Sequence, residues 1–586
     1  MSERVVAIIG ARLNSSRLPG KQLLDLAGRP LITHVVMRLR AMPGVDEIVL
    51  ATTADDFNEP LVAWAKSLDL PFLAYDGDVN NLMARVDTVV REHDADIVMY
   101  VCGDSPLIDP PTLSKRLDLL QADPEGDVVD PPPLPDGRNY IHEGAAIYRR
   151  RFWDRMIECA REPFELEHVG AVYHVLKKVM PEKVVYAPEE PIFATVDHRI
   201  SVDTPSDYRF MRRVYDDWYR THGGETVVDL RDVIGRIVNE PELRAINAHV
   251  RQKLVADTSA KVTLLTQCGP GVGLGHVSRM TVAAGALQDF LSAGVSVLIE
   301  GPKSRHWELD ILPHRYVEQL TEEVVIAHLE ETRPDVLIAD LADERDWLVP
   351  VARRCRELGG RTVIVDKAWA IGEADINYFP SFYLSAETAA LAKDRAIHGW
   401  DSFLLPTIPH QATISEIVRR CVILTGAADV DGLGKTWPDQ LLAQIPDDVE
   451  ITWVQGPYAD PPAVSSDREN FKTLVAPENL AGLLFEYDAA LCVYGVSLFE
   501  CLLAGVPAVA VRPGTRISLN EWQAFSDSGV CVPSEPAAGP ENLRLLIADA
   551  SLRENLHRLG RQHMSGGGRR FAEVVGGLIS DGKAGS

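Results

Sequence analysis

The stretch Val5-Val-Ala-Ile-Ile-Gly-Ala-Arg-Leu-Asn-Ser-Ser-Arg-Leu-Pro-Gly-Lys21 joins an apolar run to a basic loop that closes on Pro19 and Gly20. The apolar run reads as a buried strand, and a helical pattern follows the loop. About half a chain later the plan recurs with other residues. There the apolar run Val262–Leu265 leads into Gly269-Pro-Gly-Val-Gly-Leu-Gly-His-Val-Ser-Arg279. A strand, a glycine-containing loop and a helix in succession open an α/β unit that can hold phosphate. Two of them, built differently, predict two nucleotide-handling sites and a bifunctional enzyme.

Working outward from the first loop, Val5–Ile9, Glu47–Ala51, Ile97–Val101 and Ile200–Val202 read as strands. Leu31–Met42, Pro60–Leu68, Asn81–His93 and Pro111–Gln121 read as helices between them. This alternation predicts a mostly parallel, doubly wound sheet. Pro131-Pro-Pro-Leu-Pro135 is a loop or an edge, because prolines cannot donate to a ladder. A helix over Asp207–Arg220 closes the unit, and Leu230–Leu254 extends it. Around the second loop, Val262–Leu265, Val295–Ile299, Val336–Ala339 and Thr362–Val365 are strands. Leu404–Gln411 reads as a crossover. A third alternation has strands at Cys421–Leu424, Glu450–Gln455, Ala489–Val493 and Ala508–Val511. The expected domains are 1–255, 260–405 and 412–575, the last two forming lobes about a cleft. The tail after Ser565 opens on glycines and ends in small and polar residues, which predicts a disordered end.

The chain has 586 residues, too many for one ordinary core. Its net charge of -26 argues against a nucleic-acid footprint, which needs a basic face. It does not argue against a nucleotide, which a few local cations can serve. No apolar run is long enough to span a bilayer, and the N-terminus lacks a signal-peptide pattern. The eight cysteines form no C-x-x-C pair. Reduced thiols in a cytoplasmic protein are expected, with Cys102 and Cys268 as small packing residues. A homo-oligomer is compatible with the sequence, which does not set the oligomeric state.

The first loop supplies Arg12, Ser15, Ser16, Arg17 and Lys21. A triphosphate carries several negative charges. Forked guanidinium donors, one ammonium, hydroxyls and backbone N–H groups together satisfy its oxygens. The Walker A pattern and the dinucleotide fingerprint both fail here, so the residues alone fit an anion loop or a solvated basic turn. Asp104 and Asp203 each follow a predicted strand, where open α/β sheets place ligands. Each suits a helix cap or, with the loop, a Mg2+ site completed by phosphate oxygens.

Four motifs in order make the resemblance specific: Ala11-Arg-x-x-Ser-Ser-Arg-Leu-Pro-Gly-Lys21, Ala51-Thr-Thr53, Gly103-Asp-Ser-Pro-Leu-Ile-Asp-Pro110 and Val202-Asp-Thr-Pro-Ser-Asp207. Residues 1–250, through Pro241–Asn247, resemble the SpsF-like cytidylyltransferases, relatives of the CMP-sialic acid and CMP-Kdo synthetases. The resemblance implies a GT-A-like nucleotidyltransferase domain that transfers CMP from CTP to a sugar acid, expected to be a nonulosonic acid. It places Ala11, Arg12, Ser15, Ser16, Arg17, Lys21 and Arg85 around the nucleotide, and Asp104 and Asp203 on Mg2+. Arg12, Lys21 and Asp104 would be catalytic. Gly10 stands where the family usually has Gln, Asn14 where it has Gly, and Asp136–Tyr148 matches poorly.

In the second loop Gly271, Gly273 and Gly275 allow close backbone approach to a ligand, and His276 falls in the first turn of the next helix. A helix N-terminus disfavours imidazolium, so His276 reads either as a neutral base or as a capping residue in a tight turn. The Gly-x-Gly-His-x-x-Arg279 pattern, Pro334–Asp340, Val363–Asp366 and Tyr494–Pro507 resemble the PseG/SpsG family of GT-B fold. The match covers residues 260–575. It implies a UDP-sugar between the lobes, hydrolysed with His276 as catalytic histidine, used in glycosyl transfer, or bound by a sugar-nucleotide-binding scaffold without catalysis. Arg279, Ser497, Glu500 and Asn520 would lie near the nucleotide, Glu500 at the start of a helix. Asp340-Leu-Ala342 replaces the family's Asp-x-Tyr, and Asn520-Glu521 its Asn-Gln. Gly432-Leu-Gly-Lys-Thr436 imitates the end of a Walker A motif, but Asp429 occupies the place of the first Gly, which predicts no ATP site.

Overall fold

A computed structural model shows two compact units, Met1–Asp257 and Thr258–Ser586. The structure describes residues 3–15, 17–142, 144–250, 260–303, 309, 311–367, 373–406, 408, 411–465, 468–477, 479–514 and 517–584, with side chains through residue 580.

The first unit is built on seven strands. In spatial order they are Phe72–Tyr75, Glu47–Thr53, Val5–Gly10, Ile97–Cys102, Ala145–Arg149, Val128–Asp130 and Val184–Tyr186. The first four are parallel, and Ala145–Arg149 runs antiparallel to both of its neighbours. Val5, Ala7 and Ile9 enter the core on one face of the sheet, Val6 and Ile8 that on the other. Burial on both faces is why the run is apolar without alternation.

Three expectations are corrected in this unit. Ile200–Val202 lies outside the sheet, bent at Ser201, and its Val202 N–H donates to the Asp104 carbonyl (2.9 Å). The edge it would have joined is taken by Ala145–Arg149, a strand in the poorly matching stretch. The first loop is not followed directly by a helix. A single 3-10 turn, Lys21–Leu23, and a small hairpin, Asp25–Leu26 with Arg29–Pro30, precede the helix Leu31–Arg40. The extension expected over Leu230–Leu254 is two helices, Leu230–Asn239 and Pro241–Ala245, interrupted where Pro241 cannot continue the ladder. Residues 251–254 lie outside the described residues.

The second unit carries two all-parallel sheets. One runs His314–Val317, Gly294–Glu300, Lys261–Gln267, Val336–Asp340, Arg361–Val365, Ile376–Tyr378 and Ala396–Ile397. The other runs Phe471–Val475, Glu450–Gln455, Arg420–Leu424, Ala489–Val493, Ala508–Val511 and Val532–Ser534. In each, the first strand in sequence lies between the second and the fourth, so the winding direction reverses beside it. Ligands bind outside the carboxyl ends of the strands at that reversal.

The tail corrects a further expectation. Gly568–Ala584 is a helix, packed against the helix Gly275–Leu291 of the first lobe. Phe571, Ala572 and Val575 are buried, and Phe571 meets the Tyr378 ring edge-on. Those apolar residues recur at helical spacing and outweigh the glycines around them. Two parallel lobes tied by a returning C-terminal helix resemble the GT-B plan.

Candidate functional site

In the first unit the winding reverses between Val5–Gly10 and Ile97–Cys102. The basic loop leaves the first of these strands and Asp104 follows the second. Gly103 lets them approach: a Cβ there would lie 2.8 Å from Ala11 Cβ and 3.0 Å from the Gly10 carbonyl oxygen. The loop closes where Gly20 N–H donates to the Leu13 carbonyl (2.8 Å), with Gly20 at φ 69°. That turn aims Lys21 inward. Its ammonium donates to Asp104 Oδ2 at 2.5 Å and to Asp203 Oδ1 at 2.8 Å.

Asp203 also accepts Arg17 Nη2 at 3.2 Å and Arg199 Nη2 at 2.8 Å. Burial alone would push this carboxyl up, but Lys21, Arg17 and Arg199 hold it well below the usual carboxylate range. Burial would likewise pull Lys21 down, and Asp104 and Asp203 hold it above the usual ammonium range. No sequence motif singles out Arg199. It acts through Asp207 as well (3.5 Å), the residue whose carboxylate completes the capping box with Thr204.

The other loop residues go elsewhere. Arg12 donates to Val79 O (3.1 Å) and Asn80 Oδ1 (2.9 Å) and pairs with Glu167 (2.9 Å). Ser15 Oγ accepts Leu18 N–H at 3.4 Å, Ala11 is buried, and Ser16 lies outside the described residues. Arg85 is buried with Nε and Nη1 lacking any hydrogen-bond partner. Burial, aided by Arg12, pulls its pKa down to about 10. Two unpartnered guanidinium atoms beneath a basic loop suit an anionic or carbonyl-bearing ligand. Arg17 Nη1 is buried and unpartnered as well.

The carboxylate pair fits Mg2+ by donor chemistry. It offers hard oxygens from two residues that converge on one cationic group, with phosphate and water left to complete an octahedron. Among the described residues no group of three or more His, Cys, Asp or Glu could hold a metal by itself.

In the second unit Asp340 ends Val336–Asp340, beside the strand that leads into the glycine loop. His276 Nδ1 lies 2.7 Å from Asp340 Oδ1. Arg279 Nη2 lies 2.9 Å from the same Nδ1, so that nitrogen sits between a carboxylate that accepts and a guanidinium that donates. Arg279 grips both Asp340 oxygens (3.1 and 2.8 Å) and reaches Asp366 Oδ2 (3.1 Å). Burial would raise Asp340, but Arg279 and His276 lower it below its ordinary value.

The glycine loop also meets the second lobe. A Cβ on Gly273 would lie 3.6 Å from Ala427 Cβ, and one on Gly275 would lie 3.5 Å from Val496 Cγ2. Two helix N-termini, Gly275–Leu291 and Val496–Leu503, therefore face each other, and neither has a side-chain cap. Gly271 is exposed in the same loop. Ser497 lies in the first turn of the second of these helices, but Glu500 sits one turn on and is buried, correcting its expected place at the helix start. Asn520 is exposed on Leu519–Asp527. Its neighbour Glu521 accepts from the Tyr494 hydroxyl (3.0 Å), and burial with nearby Asp366 raises its pKa. Asp429 accepts N–H bonds from Leu433 (3.1 Å) and Gly434 (2.8 Å), so its own carboxylate fills the donors a phosphate would need in the Walker-like segment.

Residues 6–215 match a family model described as Cytidylyltransferase. The chain carries a cytidylyltransferase domain at its N-terminus. A 3-deoxy-manno-octulosonate cytidylyltransferase of Geobacter metallireducens is 28% identical over 252 residues, covering 35% of this chain and 94% of that protein. An uncharacterized protein of Methanocaldococcus jannaschii is 23% identical over 257 residues, covering 43% of this chain and 97% of its own. The crystal structure of Acinetobacter baumannii MurG covers 54% of this chain and 99% of that one, at 17% identity and a TM-score of 0.36.

Within the cytidylyltransferase domain the structure brings Lys21, Arg17, Asp104 and Asp203 together and turns Arg12 toward Glu167. Asn58, whose side chain holds the loop, has no signal in the motifs, because it lies five residues beyond Thr53 in an exposed, acidic turn. No helix of the described residues is long and apolar enough to cross a membrane.

Proposed function

We propose that the N-terminal domain transfers CMP from CTP to a hydroxyl of a sugar acid, of nonulosonic-acid type, releasing pyrophosphate. The observation that carries this is the meeting of Lys21 with Asp104 and Asp203 at the sheet's reversal point. The relative named for a sugar acid, 3-deoxy-manno-octulosonate, supports the substrate class. Lys21 and Arg17 are the cations within reach of a triphosphate, and Arg85 offers unpartnered donors to its sugar, base or acceptor. Asp104 and Asp203 would hold Mg2+, which supplies charge neutralisation on the transferring phosphate. The acceptor hydroxyl attacks the α-phosphorus in line, the bond to the β-phosphate oxygen breaks, and the side chains position and neutralise.

The second unit, on the same proposal, acts on a UDP-linked sugar. Two uncapped helix N-termini suit a diphosphate. His276 Nε2 would take the proton of attacking water while UDP departs, with Asp340 holding the ring and Arg279 holding Asp340. The Ala342 departure favours one alternative, transfer of the sugar to an acceptor other than water.

The test has two arms. Pyrophosphate release from CTP with Mg2+ and a panel of sugar acids is expected for at least one acid, and silence with all of them overturns the first assignment. UDP release from UDP-sugars without acceptor supports hydrolysis, release only with acceptor supports transfer, and release under neither condition overturns both readings.

A further inference from the structure

The motif Ala51-Thr-Thr53 carries no phosphate-binding chemistry of its own, yet it ends against the first loop. Ala11 N–H donates to the Ala51 carbonyl (3.2 Å). Thr53 Oγ1 donates to Asp55 Oδ2 (2.6 Å) and accepts Asn58 Nδ2 (2.9 Å). Asn58 Nδ2 also reaches Asp55 Oδ1 (2.9 Å), and Asn58 Oδ1 accepts the Leu13 N–H at 2.7 Å. The Asn58 side chain is fully buried. Each of its polar atoms is spent, and the one acceptor is spent on the middle of the basic loop.

The position makes this informative. Asn58 is the N-cap of the helix Glu59–Ser67. An asparagine there ordinarily turns its oxygen onto the helix's own first-turn N–H, which stabilises the helix. Here it makes no such bond. The helix forgoes its side-chain cap and the loop gains an anchor. Leu13 is in turn the acceptor for Gly20 N–H (2.8 Å), the bond that closes the turn carrying Lys21. Leu13 is itself buried, so the anchor cannot be replaced by water.

We infer that Asn58 is a positioning residue of the nucleotide site, fixing the loop at Leu13 so that Arg17 and Lys21 are preset for a triphosphate. This rests on the cytidylyl-transfer reading. Asn58 touches no reacting atom. Its effect belongs to nucleotide binding, and the KM for CTP rises when the anchor is lost while kcat for saturated enzyme moves less.

Asn58→Ser separates this role from simple stability. A serine hydroxyl can cap Glu59–Ser67 but is too short to reach Leu13. Asn58→Asp combined with Asp55→Asn exchanges the partners: the carboxylate introduced by the first change keeps an acceptor for Leu13 N–H and receives a donor from the amide introduced by the second. Steady-state kinetics and thermal melting of the full chain are the readouts. The KM for CTP is expected to rise about tenfold in Asn58→Ser with kcat for saturated enzyme little changed, the melting temperature to fall because the buried Leu13 N–H loses its acceptor, and both KM and melting temperature to return most of the way in the double exchange. An unmoved KM in Asn58→Ser overturns the inference. So does a loss of kcat and KM together that the double exchange fails to restore. Wild-type chain that neither binds nor turns over CTP overturns the cytidylyl-transfer reading, and this inference with it.

Discussion

Lys21 and Asp203 stand 182 positions apart in the chain and meet at 2.8 Å. The contact joins the basic loop to the segment that enters the helix Pro205–His222. Asp104 shares the same ammonium, so a single side chain closes the site between a strand end and a helix start. The charge on Lys21 is held by the two carboxylates against the pull of burial.

Replacing Lys21 by Met removes that charge at nearly constant bulk. Pyrophosphate release is expected to fall by about a hundredfold or more, the range for removing one preorganised electrostatic contact. Lys21→Arg is expected to restore little, because a planar fork cannot sit between two carboxylates as a point donor does. Activity near wild type in Lys21→Met would place the polyphosphate elsewhere.

Asp203 predicts an acid limb. Its folded pKa lies below its unfolded value, which is about 3.9. A depressed carboxyl contributes stability above the unfolded value and loses it as pH falls toward the folded one. The first unit should therefore melt at a steady temperature from about pH 7 to pH 5 and lose stability below about pH 4. Asp203→Asn should melt lower at neutral pH and fall less steeply in acid, so that the two curves converge. Parallel curves across the whole range count against the ion cluster.

How much of this is legible in the sequence depends on what each residue has to do. Strands buried on both faces are apolar throughout, so Val5–Gly10, Ala489–Val493 and Ala508–Val511 can be read to within a residue or two. Lys21, Asp104 and Asp203 are legible as chemistry, since charge beside a glycine loop is conspicuous. Asn58 and Arg199 are not. Each acts on another part of the fold, and no local pattern records the loop that Asn58 holds or the carboxylate cluster that Arg199 joins. Ile200–Val202 misleads because a short run of Ile and Val before a proline-led helix looks like a strand, and only the sheet's own pairing decides. The helix Gly568–Ala584 is hidden by its glycines, though its apolar spacing is present.

Gly10 predicts a steric coupling. A Cβ there would lie 2.8 Å from Tyr100 Cε2 and 3.0 Å from its hydroxyl, and Tyr100 is buried in the core. In the family this chain resembles, a Gln usually stands at that position. Here the tyrosine ring fills the space. Gly10→Ala should cost about 1–3 kcal/mol, the usual cost of overpacking. In a Tyr100→Leu background the same change should cost clearly less. A denaturant double-mutant cycle measures the difference. Equal costs in both backgrounds would show that the ring moves aside freely.

His276 and Asp340 predict the last experiment, in the second unit. On the proposed chemistry, Asp340 holds an Nδ1 proton of His276, 2.7 Å away, and Nε2 is the nitrogen that takes the proton of the attacking group. Asp340→Asn keeps the shape but can present an N–H to Nδ1, which moves the ring proton to Nε2 and removes the base. If the proposed UDP-sugar chemistry is right, kcat for UDP release should fall by about 10²–10⁴ with KM little changed. His276→Ala should fall as far, and the double variant no further, because the two residues act as one unit. Arg279→Lys should do something different: it loses the fork that grips both Asp340 oxygens and the reach to Asp366, so Asp340 loosens and the pH profile of UDP release shifts. Additive losses in the double variant, or full activity in Asp340→Asn, would mean that His276 takes no proton and that the pair serves the helix Gly275–Leu291 alone.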